Sequence, residues 1–162
     1  MTIYYNEEIS KEGFAKLVDS FNSISASDID VDLYFSTVGG SVPLIPAYVN
    51  IMNKYATKIY YMDEVSSSGL VISMLTNVDS EFLDGCISVC HKARYASIPI
   101  DTDLKPTAMN STELRTLKHP NATWDSVLSR IKFTKEEKEL YDKGDDVFFD
   151  SDRLTEIKKN MI

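Results

Sequence analysis

A run of serines and one histidine are the residues of this chain whose types and spacing could support covalent chemistry. Ser66, Ser67 and Ser68 stand directly before Gly69 and an apolar segment, and His91 follows another apolar segment 24 residues after Ser67. A serine hydroxyl is a poor nucleophile at neutral pH unless a neighbouring base takes its proton during the attack. The first hypothesis from the sequence is therefore that Ser67 is a nucleophile and His91 its base.

A glycine-rich loop could complete such a site. Gly39 and Gly40 follow an alternating segment that is typical of a strand, and glycine lets a backbone N–H come close to a ligand because it has no Cβ. An apolar helix after Ser67 would direct its N-terminal dipole and free N–H groups at a developing oxyanion. The amide of Ser68 and an amide of the Gly-Gly loop are the candidate donors.

Each of these signals has a simpler explanation when it is taken alone. A serine before a helix is usually an N-cap, and Gly-Gly after a strand is usually a turn. A lone histidine is more often a core or rim side chain than a base. The other histidine of the sequence, His119, precedes Pro120 in a polar segment, so His91 is the better candidate for a base.

The elements predicted around these residues would bring them to one edge of a sheet. Successive strand–loop–helix units predict parallel strands, and reactive groups in such sheets lie beyond the carboxyl ends of the strands. The Gly-Gly loop, the serines and His91 each follow a predicted strand. The predicted strands are Thr2–Tyr5, Asp30–Ser36, Lys58–Met62 and Ile87–Cys90. The first predicted helix begins at Ser10. The later ones span about Pro43–Tyr55, Leu70–Leu75, Ala122–Arg130 and Lys135–Lys143, and a last short helix runs to the C-terminus.

Length and composition predict a single α/β domain, 1–162, with a helical C-terminal tail. The chain has 162 residues and neither an internal repeat nor a low-complexity linker. Thr134 followed by Glu137 predicts a capping box at the start of one tail helix. The net charge of -8 argues against a nucleic-acid or anionic-membrane surface, because both need clustered Lys and Arg.

The two cysteines do not form a metal-binding pattern. Cys86 and Cys90 are four residues apart, which is poor spacing for zinc, and we expect two buried free thiols. No stretch is long and apolar enough to span a bilayer, and no signal peptide opens the chain. We therefore expect no metal and no cofactor, and the cytoplasm as the compartment.

The order of these segments resembles the proteolytic subunit of Clp protease, a ClpP-like arrangement within the ClpP/crotonase superfamily. The resemblance rests on Leu33–Val42 (LYFSTVGGSV), on Ser-Ser-Ser-Gly after the next helix and strand, and on a short strand that ends at His91. It extends from about Ile3 to His91 and resumes at an acidic segment, Asp145–Phe148 (DDVF).

The resemblance implies a fold of repeated β-β-α units with parallel strands flanked by helices. It also implies a serine endopeptidase that cleaves peptide bonds through an acyl-enzyme, and a ring-like homo-oligomer that takes peptides or unfolded proteins. By resemblance, Ser67 is the nucleophile, His91 the base, and Asp146 the residue that orients the imidazole. The amides of Gly40 and Ser68 would form the oxyanion hole.

Several positions depart from the family's pattern. Val38 stands where the family usually has proline, and Asp63, Glu64 and Val65 stand where it has glycine and small residues. The first predicted strand begins almost at Met1, so we expect the N-terminal segment that meets an unfoldase to be absent. An unfoldase partner is therefore left open, and a divergent member of the family is expected.

Two other functions stay open beside the peptidase. A catalytically inactive ClpP-like scaffold or assembly subunit is favoured by the acidic residues before the serines. A crotonase-like acyl-CoA enzyme would share the architecture and the paired amides, but the chain lacks an obvious basic cluster for the phosphates of CoA. The neighbouring Asp145 is the alternative to Asp146 as third member of the triad.

Overall fold

The computed structural model describes residues 1–24, 30–92 and 123–161. Six strands and six α-helices lie in these ranges, together with a 3-10 turn at Val42–Leu44. The strands are β1 (Thr2–Asn6), β2 (Asp32–Thr37), β3 (Lys58–Val65), β4 (Asp79–Phe82), β5 (Ser88–Cys90) and β6 (Val147–Phe149). The helices are α1 (Lys11–Asn22), α2 (Ile45–Tyr55), α3 (Ser68–Leu75), α4 (123–128), α5 (Lys135–Lys143) and α6 (Ser151–Met161).

The main sheet has four parallel strands in the order β1-β2-β3-β4. Alternate residues of its central strands point into the core: Leu33 and Phe35 of β2 are fully buried, as are Ile59 and Tyr61 of β3. This alternation places one face of the sheet on the helices. The predicted α/β fold with parallel strands, flanking helices and a C-terminal helix is confirmed.

The helices follow the predicted apolar patterns. Ser10 is the N-cap of α1 and accepts a hydrogen bond from Gly13 N, while Leu17 and Phe21 are buried. Helix α3 is different because seven of its eight residues are buried. A helix that is apolar on all sides lies in the core, so the segment behind the serines is held rigidly.

The predicted capping box of α5 is present. Thr134 N donates to Glu137 Oε2 at 2.7 Å, and Glu137 N donates to Thr134 Oγ1 at 3.2 Å. Arg153 of α6 forms an ion pair with the same Glu137 carboxylate at 2.8 Å. Burial alone would raise the pKa of Glu137. The hydrogen bonds from Arg153 and Thr134 outweigh burial, so the pKa of this carboxyl is below its ordinary value. These contacts join the two tail helices.

Strands β4 and β6 were not predicted, and pairing with β6 gives β5 a place other than the predicted one. Strand β5 pairs antiparallel with β6 in a separate two-stranded sheet, instead of extending the main sheet. It still runs parallel to the end of β3, through a bridge between Glu64 and Ile87. The carboxyl end of β5 therefore lies on the predicted side, beside the end of β3, which continues to Val65 and not only to Met62.

Cys86 and Cys90 are free and buried, as predicted. Burial raises the pKa of both thiols to about 12, so neither is a reactive thiolate at neutral pH. Within the described ranges, no helix could cross a membrane and no cluster of three candidate metal ligands is present. His119 lies outside the described residues.

Candidate active site

Ser67 lies at the junction of β3 and α3 in a backbone conformation that serine rarely adopts. Its φ is 54° and its ψ is -122°. In the described part of the chain, only Asp63 shares a positive φ among residues other than glycine. Such conformations cost roughly 1–3 kcal/mol, persist only where the surroundings enforce them, and are concentrated at functional sites.

Three hydrogen bonds enforce the conformation of this turn. Ser66 N donates to Thr37 O at 3.0 Å, and Ser67 N donates to Val89 O at 2.9 Å. In return, Val89 N donates to the Ser66 hydroxyl at 2.8 Å. The turn that carries Ser67 is thus fixed between the end of β2 and strand β5.

Gly39 is in direct contact with Ser67. A Cβ on Gly39 would lie 2.6 Å from Ser67 Cβ and 3.1 Å from Ser67 Oγ, and its φ of +104° is one that residues with side chains rarely adopt. Its N–H donates to Thr37 Oγ1 at 3.1 Å. The Gly-Gly loop that follows β2 therefore lies against the candidate nucleophile because no side chain separates them.

The two candidate oxyanion donors are the amides of Gly40 and Ser68. Ile9 fixes the glycine loop from the other side: its N–H donates to Gly39 O at 2.8 Å, and its carbonyl accepts from Ser41 N at 2.7 Å. Among the described residues, neither the Gly40 amide nor the Ser68 amide has an acceptor. Each of the two segments that meet at Ser67 therefore offers an N–H group without an acceptor in the described part of the chain, and an oxyanion hole is built from two such donors.

His91 and Asp146 are brought to the same end of the second sheet. In the antiparallel ladder of β5 and β6, Cys90 is the partner of Val147. His91 directly follows Cys90 and Asp146 directly precedes Val147, so they are next in the same register. The sheet thereby joins the acidic segment to the histidine across 55 residues of sequence.

The His91 ring has two neighbours that define its present state. Its Nδ1 lies 2.7 Å from the Lys92 carbonyl oxygen, which can only accept, so Nδ1 carries the proton and Nε2 is the basic nitrogen. The ring of the buried Trp124 lies 6.1 Å from it, centroid to centroid. The described residues contain no hydrogen bond between His91 and Ser67 Oγ, and Asp146 is exposed.

Sequence reasoning missed three residues that position this site. The Ser66 hydroxyl and the Thr37 carbonyl hold the turn by accepting hydrogen bonds from Val89 N and Ser66 N. The Trp124 ring packs near His91. Ser66 could have been found, since it precedes Ser67 in the serine run. The single tryptophan of the chain was also a signal, because its predicted helix follows the candidate base in the sequence.

Comparison with known proteins supports the fold at this point. No protein-family model and no curated protein sequence matches the chain. Among solved structures it is similar to the crystal structure of the ClpP protease catalytic domain from Plasmodium falciparum, with a TM-score of 0.60 and 18% sequence identity. The similarity covers 99% of this chain and 82% of that chain. The chain has a ClpP-like fold.

Proposed function

We propose that this protein is a serine peptidase of the Clp-protease type, with Ser67 as nucleophile. The observation that carries the proposal is the strained turn at Ser67, which is in contact with Gly39. The next residue after each of these two, Ser68 and Gly40, has a backbone N–H without an acceptor among the described residues. A structural serine at a helix N-terminus would cap the helix with its hydroxyl, but the Ser67 side chain makes no such bond.

In the proposed reaction, Ser67 Oγ attacks the carbonyl carbon of a peptide bond while His91 Nε2 takes its proton. The resulting oxyanion accepts hydrogen bonds from the amides of Gly40 and Ser68. The tetrahedral intermediate collapses, and His91 returns the proton to the leaving amine. Water then hydrolyses the acyl-enzyme by the same steps, with His91 again as base.

Asp146 is proposed to orient the His91 ring and to stabilise its charged form. The register of β5 and β6 supports this role, since it leads the segments of both residues to one place. The Lys92 carbonyl now occupies Nδ1, so the proposal requires the imidazole to exchange this acceptor for the Asp146 carboxylate. Catalytic hydrogen bonds are often completed only when substrate is bound.

Labelling with a fluorophosphonate probe tests the nucleophile. The probe forms a covalent bond with an activated serine, and intact-mass measurement counts the labels. We expect one label on the protein and none on Ser67→Ala. Ser68→Ala is the matched control, because the buried Ser68 hydroxyl has no hydrogen-bond partner among the described residues and its removal leaves the amide in place. Labelling that survives Ser67→Ala would contradict the proposal.

A second candidate function is an inactive assembly subunit with the same fold. The observation that favours it concerns the His91 ring, whose Nδ1 is hydrogen-bonded to the backbone carbonyl of Lys92. In the described part of the chain, no hydrogen bond joins this ring to Ser67. This candidate predicts no labelling of the folded protein at any pH between about 6 and 9, where a histidine base becomes neutral. It predicts intact oligomers in Ser67→Ala, as the peptidase does.

The subunits are proposed to assemble into a ring-like homo-oligomer that takes peptides or unfolded proteins. Heterologous contacts between identical subunits close into rings when the rotation permits. Large side chains that are exposed in one chain supply surface for such contacts, among them Tyr4 (70% exposed) and Phe148 (69% exposed). Sedimentation at tens of micromolar tests the assembly, and a monomer alone would count against it.

A further inference from the structure

A cavity of about 690 Å³ lies at the end of α3 that is farther from Ser67. Strand β4 and helix α6 form its other walls. Its apolar lining comes from Met74, Leu75, Val78, Phe82 and Met161. Volumes between roughly 300 and 1,000 Å³ with a mostly apolar lining are typical of small-molecule sites.

The charged side chains of this cavity are mainly cationic. Lys58, Arg130, Lys158 and Lys159 line it, against Asp79 and Glu81. Lys58 and Glu81 form an ion pair at 3.2 Å and neutralise each other. Among the described residues that line the cavity, the remaining balance is three cations to one carboxylate, in a chain whose net charge is -8. The positive charge of the cavity is therefore a local feature, and it would attract an anion.

Lys158 is the innermost of these cations, and its neighbours are uncharged. Its Nζ donates to Ser73 O at 2.7 Å, to Ser80 Oγ at 2.6 Å and to Thr76 Oγ1 at 3.2 Å. It also lies over the Tyr61 ring, 5.2 Å from the centroid.

No carboxylate among the described residues is within ion-pair distance of Lys158. Burial lowers the pKa of Lys158 from its ordinary 10.5 to about 8, and the more distant Asp79 opposes this only in part. A partly buried cation without a counterion has lost some of its hydration, and an anion beside it would offset part of that cost.

We propose that this cavity binds a small monoanion with an apolar body, such as a medium-chain carboxylate, whose charged end lies beside Lys158. The three N–H groups of Lys158 already have three acceptors, so the carboxylate would replace one of them, the Ser80 hydroxyl, which lines the cavity. The chain of the ligand would lie against Met74, Val78 and Phe82. A single charge is matched because Lys158 is partly buried, whereas Arg130 and Lys159 are exposed and Lys58 is paired with Glu81. The proposal does not depend on the activity proposed for Ser67.

Calorimetric titration with octanoate tests the proposal, with octanol as the neutral probe of the same length. At about pH 8.5 we expect octanoate binding to be accompanied by uptake of part of a proton, because the anion favours the charged form of Lys158. At about pH 6.5 this lysine is already protonated, so the proton uptake should vanish. Proton uptake is read from the heat in buffers of different ionisation enthalpy. Asp79, Glu81, Lys58 and Tyr61 also face the site, so the assignment to Lys158 needs variants.

Two variants and one control make the test specific. Lys158→Met should weaken octanoate binding at least about tenfold and abolish the proton uptake. Val78→Trp should block the cavity while all its charges remain. Lys138→Met, in an exposed ion pair on α5, should change nothing. Octanol that binds as tightly as octanoate, octanoate binding retained in both variants, or no binding by the folded protein would each overturn the proposal.

Discussion

Cys90 of β5 is paired with Val147 of β6, and this pair joins two parts of the chain that the sequence keeps far apart. Both side chains are buried, as is Phe149 at the other end of the ladder. Directly opposed Cα atoms in antiparallel strands lie about 4.5–5.5 Å apart. Because His91 and Asp146 are the next residues in this register, the ladder limits how far they can separate.

The first prediction concerns the two neighbouring carboxylates. On an extended segment, adjacent side chains point to opposite sides, so only one of Asp145 and Asp146 can face the histidine. We expect Asp146→Asn to lower the hydrolysis of an activated peptide ester by roughly three to four powers of ten, through loss of the correct imidazole tautomer and its charge stabilisation. Asp145→Asn should have little effect. Equal, small effects would leave at most a dyad of Ser67 and His91.

The second prediction concerns the contact between Gly39 and Ser67. In Gly39→Ala the new methyl group would meet Ser67 Cβ at 2.6 Å, in a backbone conformation that alanine avoids. We expect a loss of about 2–4 kcal/mol in the free energy of unfolding and loss of fluorophosphonate labelling. Denaturant titration and intact-mass measurement check the two effects.

Gly85→Ala is the control for backbone strain. Gly85 also has a positive φ, +83°, but a Cβ there would have nothing within 4 Å. This variant should lose only about 1 kcal/mol and keep its labelling. Similar losses in both variants would show that the contact with Ser67 contributes nothing beyond strain.

The sequence predicted three of the four strands of the main sheet, β1, β2 and β3, because these strands have a strong local signal. Leu33 and Phe35 alternate with more exposed residues, and the apolar segment after Gly69 reads as a buried helix. The Gly-Gly loop and the serines follow these strands directly. Their meeting could thus be expected from the parallel topology alone, before any distance was known.

Strand β5 was predicted, but strand β6 and its pairing with β5 were not, because β6 has only three residues. In β6, Val147 and Phe149 are buried while Phe148 is exposed, a pattern too short to indicate a strand. Its pairing with β5 is long-range and depends on the tertiary structure. The rotamer of His91 is also outside the reach of sequence patterns, because its acceptor is the backbone carbonyl of Lys92.

The third prediction concerns Ser66 as a positioning residue. Its hydroxyl accepts from Val89 N at 2.8 Å and is buried, so Ser66→Ala would leave a backbone donor without its partner. We expect a loss of about 1–3 kcal/mol in the free energy of unfolding. The labelling rate at Ser67 should fall as well, since the same strand leads to His91.

A serine outside the site provides the comparison for Ser66. Ser129→Ala removes an exposed hydroxyl that donates to Ser126 O, and it should change neither stability nor labelling. The rates are compared at the same denaturant-free conditions, where all variants are folded. An unchanged labelling rate in Ser66→Ala would show that its hydrogen bond is structural only.

The last prediction concerns the pH dependence of stability that Lys158 causes. Its pKa is about 8 in the folded protein and 10.5 in its ordinary environment. Between these values the unfolded chain binds more protons at this lysine than the folded protein does, so Lys158 contributes a rise of the free energy of unfolding with pH in this window. From pH 7.5 to 9.5 this contribution should be about 2 kcal/mol, and below the folded pKa the partly buried charge is a constant penalty. The buried thiols of Cys86 and Cys90 oppose it, because burial raises their pKa to about 12 and their ionisation in the unfolded chain favours unfolding above about pH 8.5. The buried tyrosines Tyr5 and Tyr61, whose pKa is also raised, act in the same direction at higher pH.

The contribution of Lys158 is therefore read as a difference between variants, measured by urea unfolding at several pH values. From pH 7.5 to 9.5 the free energy of unfolding of Lys158→Met should fall by about 2 kcal/mol relative to that of the wild-type protein, whereas the curve of Lys138→Met should stay parallel to the wild-type curve. Parallel curves for the wild-type protein and Lys158→Met would show that Lys158 keeps an ordinary pKa.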